Sequence, residues 1–134
     1  MKTKKLFLIA MTLLLSCAKS QTMSPDVVLL GNWGGEGIAL VATETQNTFN
    51  FNCGSGEINK KVVLSANKFS EKGTYLQIFG NVPVGYDAKP QTVLYEAILS
   101  GDTLNLTMKS EDGKTVMGNY SVKKGAFGKI NRCM

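Results

Sequence analysis

Polar and apolar residues alternate in short stretches along most of this chain, and this alternation restricts its fold more than any other feature. Residues 48–53 and 103–109 alternate strictly, and residues 116–122 repeat the pattern less strictly. Because successive side chains of a β-strand point to opposite faces, each stretch predicts a strand with one buried face. The residues predicted to face inward are Phe49, Phe51, Cys53, Leu104, Leu106, Met108, Val116, Gly118, Tyr120 and Val122.

Turn-forming residues separate these stretches at short intervals, and helical periodicity is absent beyond the N-terminus. Asp112-Gly113 suits a tight hairpin, and comparable turn residues occur at 44–47, 66–68, 71–73, 100–102 and 124–125. Further strands are expected at 37–43, 58–64, 74–79, 92–99 and 127–133. Consecutive strands with short connections form a meander, so residues 27–134 are predicted to fold as an all-β domain. We expect a small antiparallel up-and-down barrel of about eight strands, with an open two-sheet sandwich as the alternative.

One predicted connection is much longer than the others. Residues 79–91 contain two prolines, two glycines and two aromatic residues, and they follow no period. Long loops on a rigid scaffold often carry function, but a plain crossover that covers one end of the barrel explains the segment equally well. If the loop binds a ligand, Phe79 and Tyr86 are the predicted apolar contacts, and Asp87 and Lys89 are the predicted polar ones.

The N-terminal residues 1–16 have the pattern of an export signal. Lys2, Lys4 and Lys5 precede the apolar residues 6–15, a segment much shorter than the roughly 20 residues that a membrane-spanning helix needs. The sequence Leu14-Leu15-Ser16-Cys17 resembles the lipobox of bacterial lipoproteins. This resemblance implies that cleavage leaves Cys17 as the first residue and that its thiol carries a diacylglyceryl group. An ordinary signal peptide that happens to contain a cysteine is the alternative.

Residues 17–26 are polar, contain a proline and lack periodicity, so they are expected to form a flexible tether. Fully extended, ten residues reach roughly 30 Å. The partner predicted for this part of the protein is a membrane, which the chain would contact through its lipid anchor. Because Ala18-Lys19 places no acidic residue after Cys17, we expect the outer membrane, with the domain facing the periplasm.

Composition argues against several functions. Removing the signal leaves 12 basic and 10 acidic residues, and the lysines are scattered, so no nucleic-acid surface is expected. The chain has no histidine, the commonest general base and metal ligand. Paired carboxylates among Glu36, Glu57, Asp87 and Glu96 could in principle cleave glycosides, but their spacing does not indicate it. We therefore expect no enzyme activity, catalytic residue, metal or cofactor.

Two cysteines remain in the predicted domain, Cys53 and Cys133. An even pair in an oxidising envelope compartment favours a disulfide bond. Two free thiols are the alternative.

Two resemblances extend this interpretation. Gly31-Asn32-Trp33 at the first strand and Arg132 near the end are similar to the Gly-x-Trp strand and terminal arginine of lipocalin-like barrels, which implies that Arg132 packs over Trp33 and closes one end of the barrel. The chain also resembles a group of small, uncharacterised bacterial lipoproteins. The shared motifs are Trp33-Gly34-Gly35 at the start, Phe51-Asn52-Cys53-Gly54-Ser55-Gly56 in the centre and Arg132-Cys133 at the end. This second resemblance implies a shared scaffold and a cysteine pair, but no function.

The function expected from these features is that of a non-catalytic binding module for a small apolar ligand or an envelope component. Trp33 or Tyr95 near a barrel end could add to the contacts of the long loop. The alternative is a protein–protein role, such as that of an assembly factor or of the small lipidated lysozyme inhibitors, in which residues 54–57 would be exposed.

Overall fold

The computed structural model of the chain describes residues 25–78, 85, 87–131 and 133. Its regular structure in these residues is entirely β-strand, which confirms the all-β prediction. The strands are β1 (Val27–Val28), β2 (Gly31–Gly35), β3 (Ile38–Ala42), β4 (Asn47–Phe51), β5 (Gly54–Ile58), β6 (Val63–Leu64), β7 (Lys68–Gln77), β8 (Gln91–Ser100), β9 (Thr103–Ser110) and β10 (Val116–Lys124). Among the described residues, no helix is long and apolar enough to cross a bilayer.

Eight of these strands close into one antiparallel barrel, in the order β10-β2-β3-β4-β5-β7-β8-β9. Each barrel strand pairs with the barrel strand that follows it in the chain, and β10 returns to β2. The predicted closed up-and-down barrel is therefore confirmed, and the open sandwich is wrong. Closure leaves the wall without a free edge on which another chain could add a strand.

The interior of the barrel is filled by side chains. Phe49 and Tyr95 stack at the centre with ring centroids 4.5 Å apart, and both are fully buried. An eight-stranded barrel is just wide enough for inward-facing side chains to fill it. The other buried side chains contributed by the barrel strands are Trp33, Ile38, Leu40, Ala42, Asn47, Phe51, Ile58, Phe69, Val93, Ala97, Leu104, Leu106, Met108 and Val122.

The two ends of the barrel differ. We call lower the end that carries the connections 43–46, 59–67 and 101–102, and upper the end that carries 36–37, 52–53, 78–90 and 111–115. At the lower end, β1 pairs with β6 to form a short ribbon. Its side chains Leu29, Val62 and Leu64 are buried in the same core cluster. This ribbon closes the lower end.

After β10 the chain turns back along the outside of the barrel as a strap, residues 125–131 and 133. The amide of Gly125 donates to the carbonyl of Asn32 at the lower end, and the amide of Lys129 donates to the carbonyl of Gly35 further up. The predicted strand at 127–133 is wrong, because the strap makes only one parallel bridge, between Glu36 and Lys129. The other described residues of the strap form no ladder pair, so the strap lies against the outside of the wall without extending the sheet.

The strap ends at a disulfide bond between Cys53 and Cys133, whose Cα atoms are 5.3 Å apart. This confirms the predicted pairing. Cys53 does not continue the inward face of β4, as the alternation predicted, because β4 ends at Phe51 and Asn52-Cys53 form the turn to β5. The amide of Asn131 donates to Oδ1 of Asn52 at 2.8 Å. The turn between β4 and β5 therefore holds the strap through both the disulfide and this hydrogen bond.

Three further expectations about the strands are wrong. The turn predicted at 71–73 lies inside β7, and the strand expected near 58–64 is replaced by β5 and the two-residue β6. Val116 was predicted to face inward, but it is 53% exposed. A register shift between Val116 and Gly118 inserts an extra residue, Met117, and moves Val116 to the outer face.

Candidate binding site at the upper mouth of the barrel

Three aromatic side chains lie together at the upper mouth of the barrel, and we call them the mouth cluster: Phe51, Tyr75 and Tyr120. The ring of Phe51 meets Tyr75 edge-on at 5.6 Å and Tyr120 at a tilt at 5.0 Å between centroids. Phe51 is buried, whereas both tyrosines are only partly buried. Phe49 stacks 5.9 Å from Phe51 on the core side. The mouth therefore presents aromatic surface over a filled core.

Small residues in the wall make room for these rings. A Cβ atom at Gly54 would lie 2.7 Å from the phenol oxygen of Tyr75, and one at Gly73 would lie 2.8 Å from the ring of Tyr95. Any side chain at these positions would displace an aromatic ring. The glycines of β5 and β7 thus fix how the tyrosines pack, and this explains why a glycine-rich sequence occurs in the middle of a barrel wall.

The tyrosine hydroxyls near the mouth are held in their neutral form. Burial raises the pKa of Tyr95 above its ordinary value, and the charges of Tyr75 and Tyr120 would raise it further. Burial also raises the pKa values of Tyr75 and Tyr120. Tyr95 donates its hydrogen bond to the carbonyl of Thr74 at 2.7 Å. Among the described residues, none forms such a bond with the hydroxyl of Tyr75 or Tyr120, and each hydroxyl can both donate and accept a hydrogen bond.

Of the four predicted ligand contacts, Phe79 and Tyr86 lie outside the described residues. Asp87 and Lys89 are exposed on the connection between β7 and β8. That connection leaves the upper end beside the mouth cluster, because Tyr75 pairs with Gln91 at its base. The four contacts stay a prediction, but their connection is anchored next to the mouth tyrosines.

The predicted partner of Trp33 is not among the described residues, since Arg132 lies outside them. Trp33 is buried, and its Nε1 donates to the carbonyl of Leu30 at 3.1 Å. The cation that lies over its ring is Lys124, with Nζ 5.8 Å from the ring centroid. The barrel-closing pair of Trp33 and Arg132 stays a prediction. The signal peptide and Cys17 also lie outside the described residues, so lipidation stays a prediction too.

A groove of about 550 Å³ lies on the outer wall beside the disulfide. Asn50 and Ser55 line it from β4 and β5, and Ile130 and Cys133 line it from the strap. It opens near Ile78, where the connection between β7 and β8 begins. The groove therefore adjoins the upper mouth from outside.

Glu57 and Glu96, two of the carboxylates considered for catalysis, are not brought together. Glu57 faces outward and accepts a hydrogen bond from Gln46 at 2.8 Å, and Glu96 forms an ion pair with Lys109 at 2.8 Å. On β7, which lies between them, Glu57 pairs with Thr74 and Glu96 pairs with Ser70. Thr74 and Ser70 are four positions apart, so the two carboxylates are offset by roughly 13 Å along the strand. Glu36 lies 3.9 Å from Lys129 at the surface. Among the described residues, no group of three potential metal ligands occurs.

The fold defines this chain as a small, closed, antiparallel β-barrel whose lower end is closed by side chains and whose upper mouth is aromatic. No protein-family model matches the chain, and no curated protein or solved structure matches it either.

The sequence interpretation did not single out the mouth tyrosines as a site. Tyr120 was predicted to face inward, and Tyr75 fell within the strand expected at 74–79. The available signal was partial, because Tyr75 lies two residues before the end of β7, whereas Tyr120 lies in the middle of β10. Alternation indicates whether a side chain faces the interior or the solvent, but its position along the barrel axis depends on the register between strands.

Proposed function

We propose that this protein is a lipid-anchored protein of the bacterial cell envelope that binds a small apolar ligand at its upper mouth without catalysing a reaction. The observation that carries the proposal is the difference between the two ends of the barrel. The lower end is closed by the buried side chains of the β1–β6 ribbon, whereas the upper end leaves Tyr75 and Tyr120 partly exposed.

The filled interior limits the kind of ligand. Phe49 and Tyr95 occupy the centre of the barrel, so a long acyl chain would have no channel to enter. A flat apolar molecule can instead lie against the rings of the mouth cluster. The hydroxyls of Tyr75 and Tyr120 favour a ligand with one hydrogen-bonding group, because binding sites combine apolar area with a few polar contacts.

The position of the proposed anchor is consistent with binding at the upper mouth. The described chain begins at Pro25 and enters the fold through β1 at the lower end. A lipid on Cys17 would therefore hold the barrel from the end opposite the mouth. Two or more acyl chains give lasting membrane attachment.

The test is binding of N-phenyl-1-naphthylamine, an apolar fluorescent probe, to the disulfide-bonded domain. We expect saturable binding with one site, weakened about tenfold by Tyr120→Ala, since such a loss corresponds to about 1.4 kcal/mol of contact. The matched control is Ile98→Ala, which removes an exposed side chain from the outer wall and should leave affinity unchanged. A wild-type protein without saturable binding, or a folded Tyr120→Ala protein with full affinity, contradicts the proposal.

A protein–protein role is the second candidate, and Phe127 favours it. This side chain is 96% exposed on the strap between Ala126 and Gly128, and such an aromatic residue is a common anchor in protein interfaces. The segment 54–57 proposed for an inhibitor-like contact lies within β5 rather than in a loop, and Gly54 and Gly56 are buried. Co-precipitation with lysozyme that is lost in Phe127→Ser would support this role. Unchanged co-precipitation would exclude Phe127 as the contact.

A further inference from the structure

The ribbon that closes the lower end is apolar on its exposed side as well as on its buried side. Val27, Leu30 and Val63 are 53%, 40% and 37% exposed, and we call them the lower apolar face. Leu30 and Val63 lie on the same side of the ribbon, because Val28 pairs with Val63 and Leu30 follows two residues later. Val27 pairs with Leu64 on the other side and is exposed next to them at the start of β1. The residues of the lower apolar face do not need to be apolar for the ribbon to bury Leu29, Val62 and Leu64.

The charges around this face include lysines that are not paired. Lys61 lies in the same connection as Val63, and neither it nor Lys124 forms an ion pair with a described residue. Lys60 is neutralised by Glu71 at 2.6 Å, and Lys123 lies 3.8 Å from Asp102. Asp26 and Glu44 are at the same end. Within the described part of the chain, two lysines and two carboxylates at this end are therefore without an ion pair, so the charges are balanced and apolar contact is the larger contribution to any binding there.

The proposed anchor attaches beside this face. Cys17 precedes Pro25 by eight residues, a length that spans at most about 29 Å when extended at 3.3–3.6 Å per residue. Val27 belongs to the face itself, so a lipid on Cys17 keeps the face within this distance of a bilayer. Tethering raises the effective concentration of a surface to the millimolar range, where even a weak contact is occupied.

We propose that the lower apolar face rests on the membrane that holds the anchor, so that the barrel stands with its mouth away from the lipid. This inference rests on the proposed lipid anchor. Exposed valine and leucine side chains fit the boundary between headgroups and acyl chains, and Lys61 and Lys124 fit anionic headgroups. The occupant of the face is therefore the lipid surface itself rather than a second protein.

The experiment uses the full-length lipidated protein in vesicles of phosphatidylethanolamine and phosphatidylglycerol. A thiol-reactive NBD dye is attached at Val63→Cys, and the matched control carries it at Lys114→Cys, an exposed position at the upper end. Both natural cysteines of the domain are in the disulfide, so only the introduced thiol reacts. Nitroxide-labelled lipids should quench the dye at position 63 at least threefold more than the dye at position 114.

A second variant separates docking from simple proximity. Val27→Glu with Leu30→Glu adds charge to the face without changing the tether, and it should reduce quenching at position 63 to the level at position 114. Equal quenching at both positions, or quenching at 63 that survives the glutamates, overturns the inference. Should the glutamates prevent folding, the corresponding serine variants give the same decision. Flotation with the vesicles and the intact mass report the anchor separately, so failure of the anchor is recognised as such.

Discussion

Tyr95 and the glycines around it show how single residues determine the packing of the barrel. A Cβ atom at Gly56 would collide with the hydroxyl of Tyr95 and would lie 2.7 Å from the carbonyl oxygen of Thr74. These two groups form the hydrogen bond that satisfies the buried phenol. An added Cβ atom would press on the backbone at Thr74 and on the packed ring of Tyr95. Neither group can shift without a large energetic cost, because the core is closely packed.

Gly56→Ala should therefore destabilise the domain by about 1–3 kcal/mol, the range typical of overpacking. The measurement is the urea midpoint of unfolding. The matched control is Ser55→Ala, one residue earlier on the same strand, where the side chain faces the outer groove. Equal stability of both variants would mean that the core around Tyr95 is loosely packed.

The raised pKa of Tyr95 leads to a prediction about pH. The folded state holds the phenol proton more tightly than the unfolded chain, whose tyrosines titrate near pH 10. The stabilisation is complete below the unfolded pKa, begins to fall as pH rises above it, and is lost as pH rises through the higher folded pKa, because in that window the folded state binds more protons.

We expect the urea midpoint of the wild-type domain to fall between pH 9 and pH 11 more steeply than that of Tyr95→Phe. Comparing the two proteins cancels the titration of the lysines, which both share. Parallel slopes would show that Tyr95 ionises as readily in the folded state as in the unfolded chain.

Residue positions were predictable from sequence where they depend only on the period of a strand. The alternation correctly placed Phe49, Leu104 and Leu106 in the core. It misplaced Val116, since a bulge depends on the partner strand β9 rather than on local sequence. It also treated Gly73 as a turn residue, although this glycine is needed for close packing against Tyr95.

At the scale of elements, the seam between β10 and β2 is the shortest junction in the barrel wall. Only Lys123–Gly34 and Lys124–Trp33 pair there, whereas β7 and β8 pair over eight positions. The strap crosses the outside of this seam, and a Cβ atom at Gly34 would collide with its backbone. The strap thus supports the place where the barrel closes.

Breaking the disulfide should release the strap and weaken the seam. We expect Cys53→Ser with Cys133→Ser to lower the free energy of unfolding by about 2–5 kcal/mol. Urea unfolding measures the loss, and hydrogen exchange at the amides of Gly37 and Lys129 reports release of the strap. The wild-type protein after reduction is the control and should behave alike. A variant as stable as the oxidised protein would show that the strap stays in place without its covalent bond.

The connection between β7 and β8 leads to a prediction about recognition. Replacing residues 82–89 by a Gly-Ser turn should keep the fold, because closure entropy changes slowly with loop length. It should abolish binding of N-phenyl-1-naphthylamine if the predicted contacts Tyr86, Asp87 and Lys89 cover the mouth. Full binding by the shortened protein would place the site on the mouth cluster alone, and failure to fold would make the connection part of the core.

Elements were predictable where turn residues flank an apolar run, as in the hairpin from β8 to β9. The strand β5 was missed because Gly54-Ser55-Gly56 has the composition of a loop. It is a strand because both of its neighbours, β4 and β7, supply hydrogen-bonding partners along its length. The strand prediction for the strap failed because local sequence does not show that, among its described residues, only Lys129 has a ladder partner.

At the scale of the whole molecule, the chain enters the barrel at one end and exposes aromatic surface at the other. Closure, filling and the covalent strap produce a rigid wall, so recognition is confined to the surface of the barrel and its upper mouth. The barrel itself could be predicted from sequence, because repeated alternation with tight turns has few other solutions. The mouth cluster could not, because it combines residues from β4, β7 and β10 through register.

The proposed binding of an apolar ligand at the upper mouth can be detected directly on the rings of the tyrosines. The chain has four tyrosines and one tryptophan, so selective ¹³C labelling gives a small set of ring signals with Trp33 as a reporter for the opposite end. On titration with N-phenyl-1-naphthylamine, we expect saturable shifts at Tyr75 and Tyr120 and an unchanged signal from Trp33. Shifts confined to Trp33, or no saturable shift at either mouth tyrosine, would contradict the proposed binding.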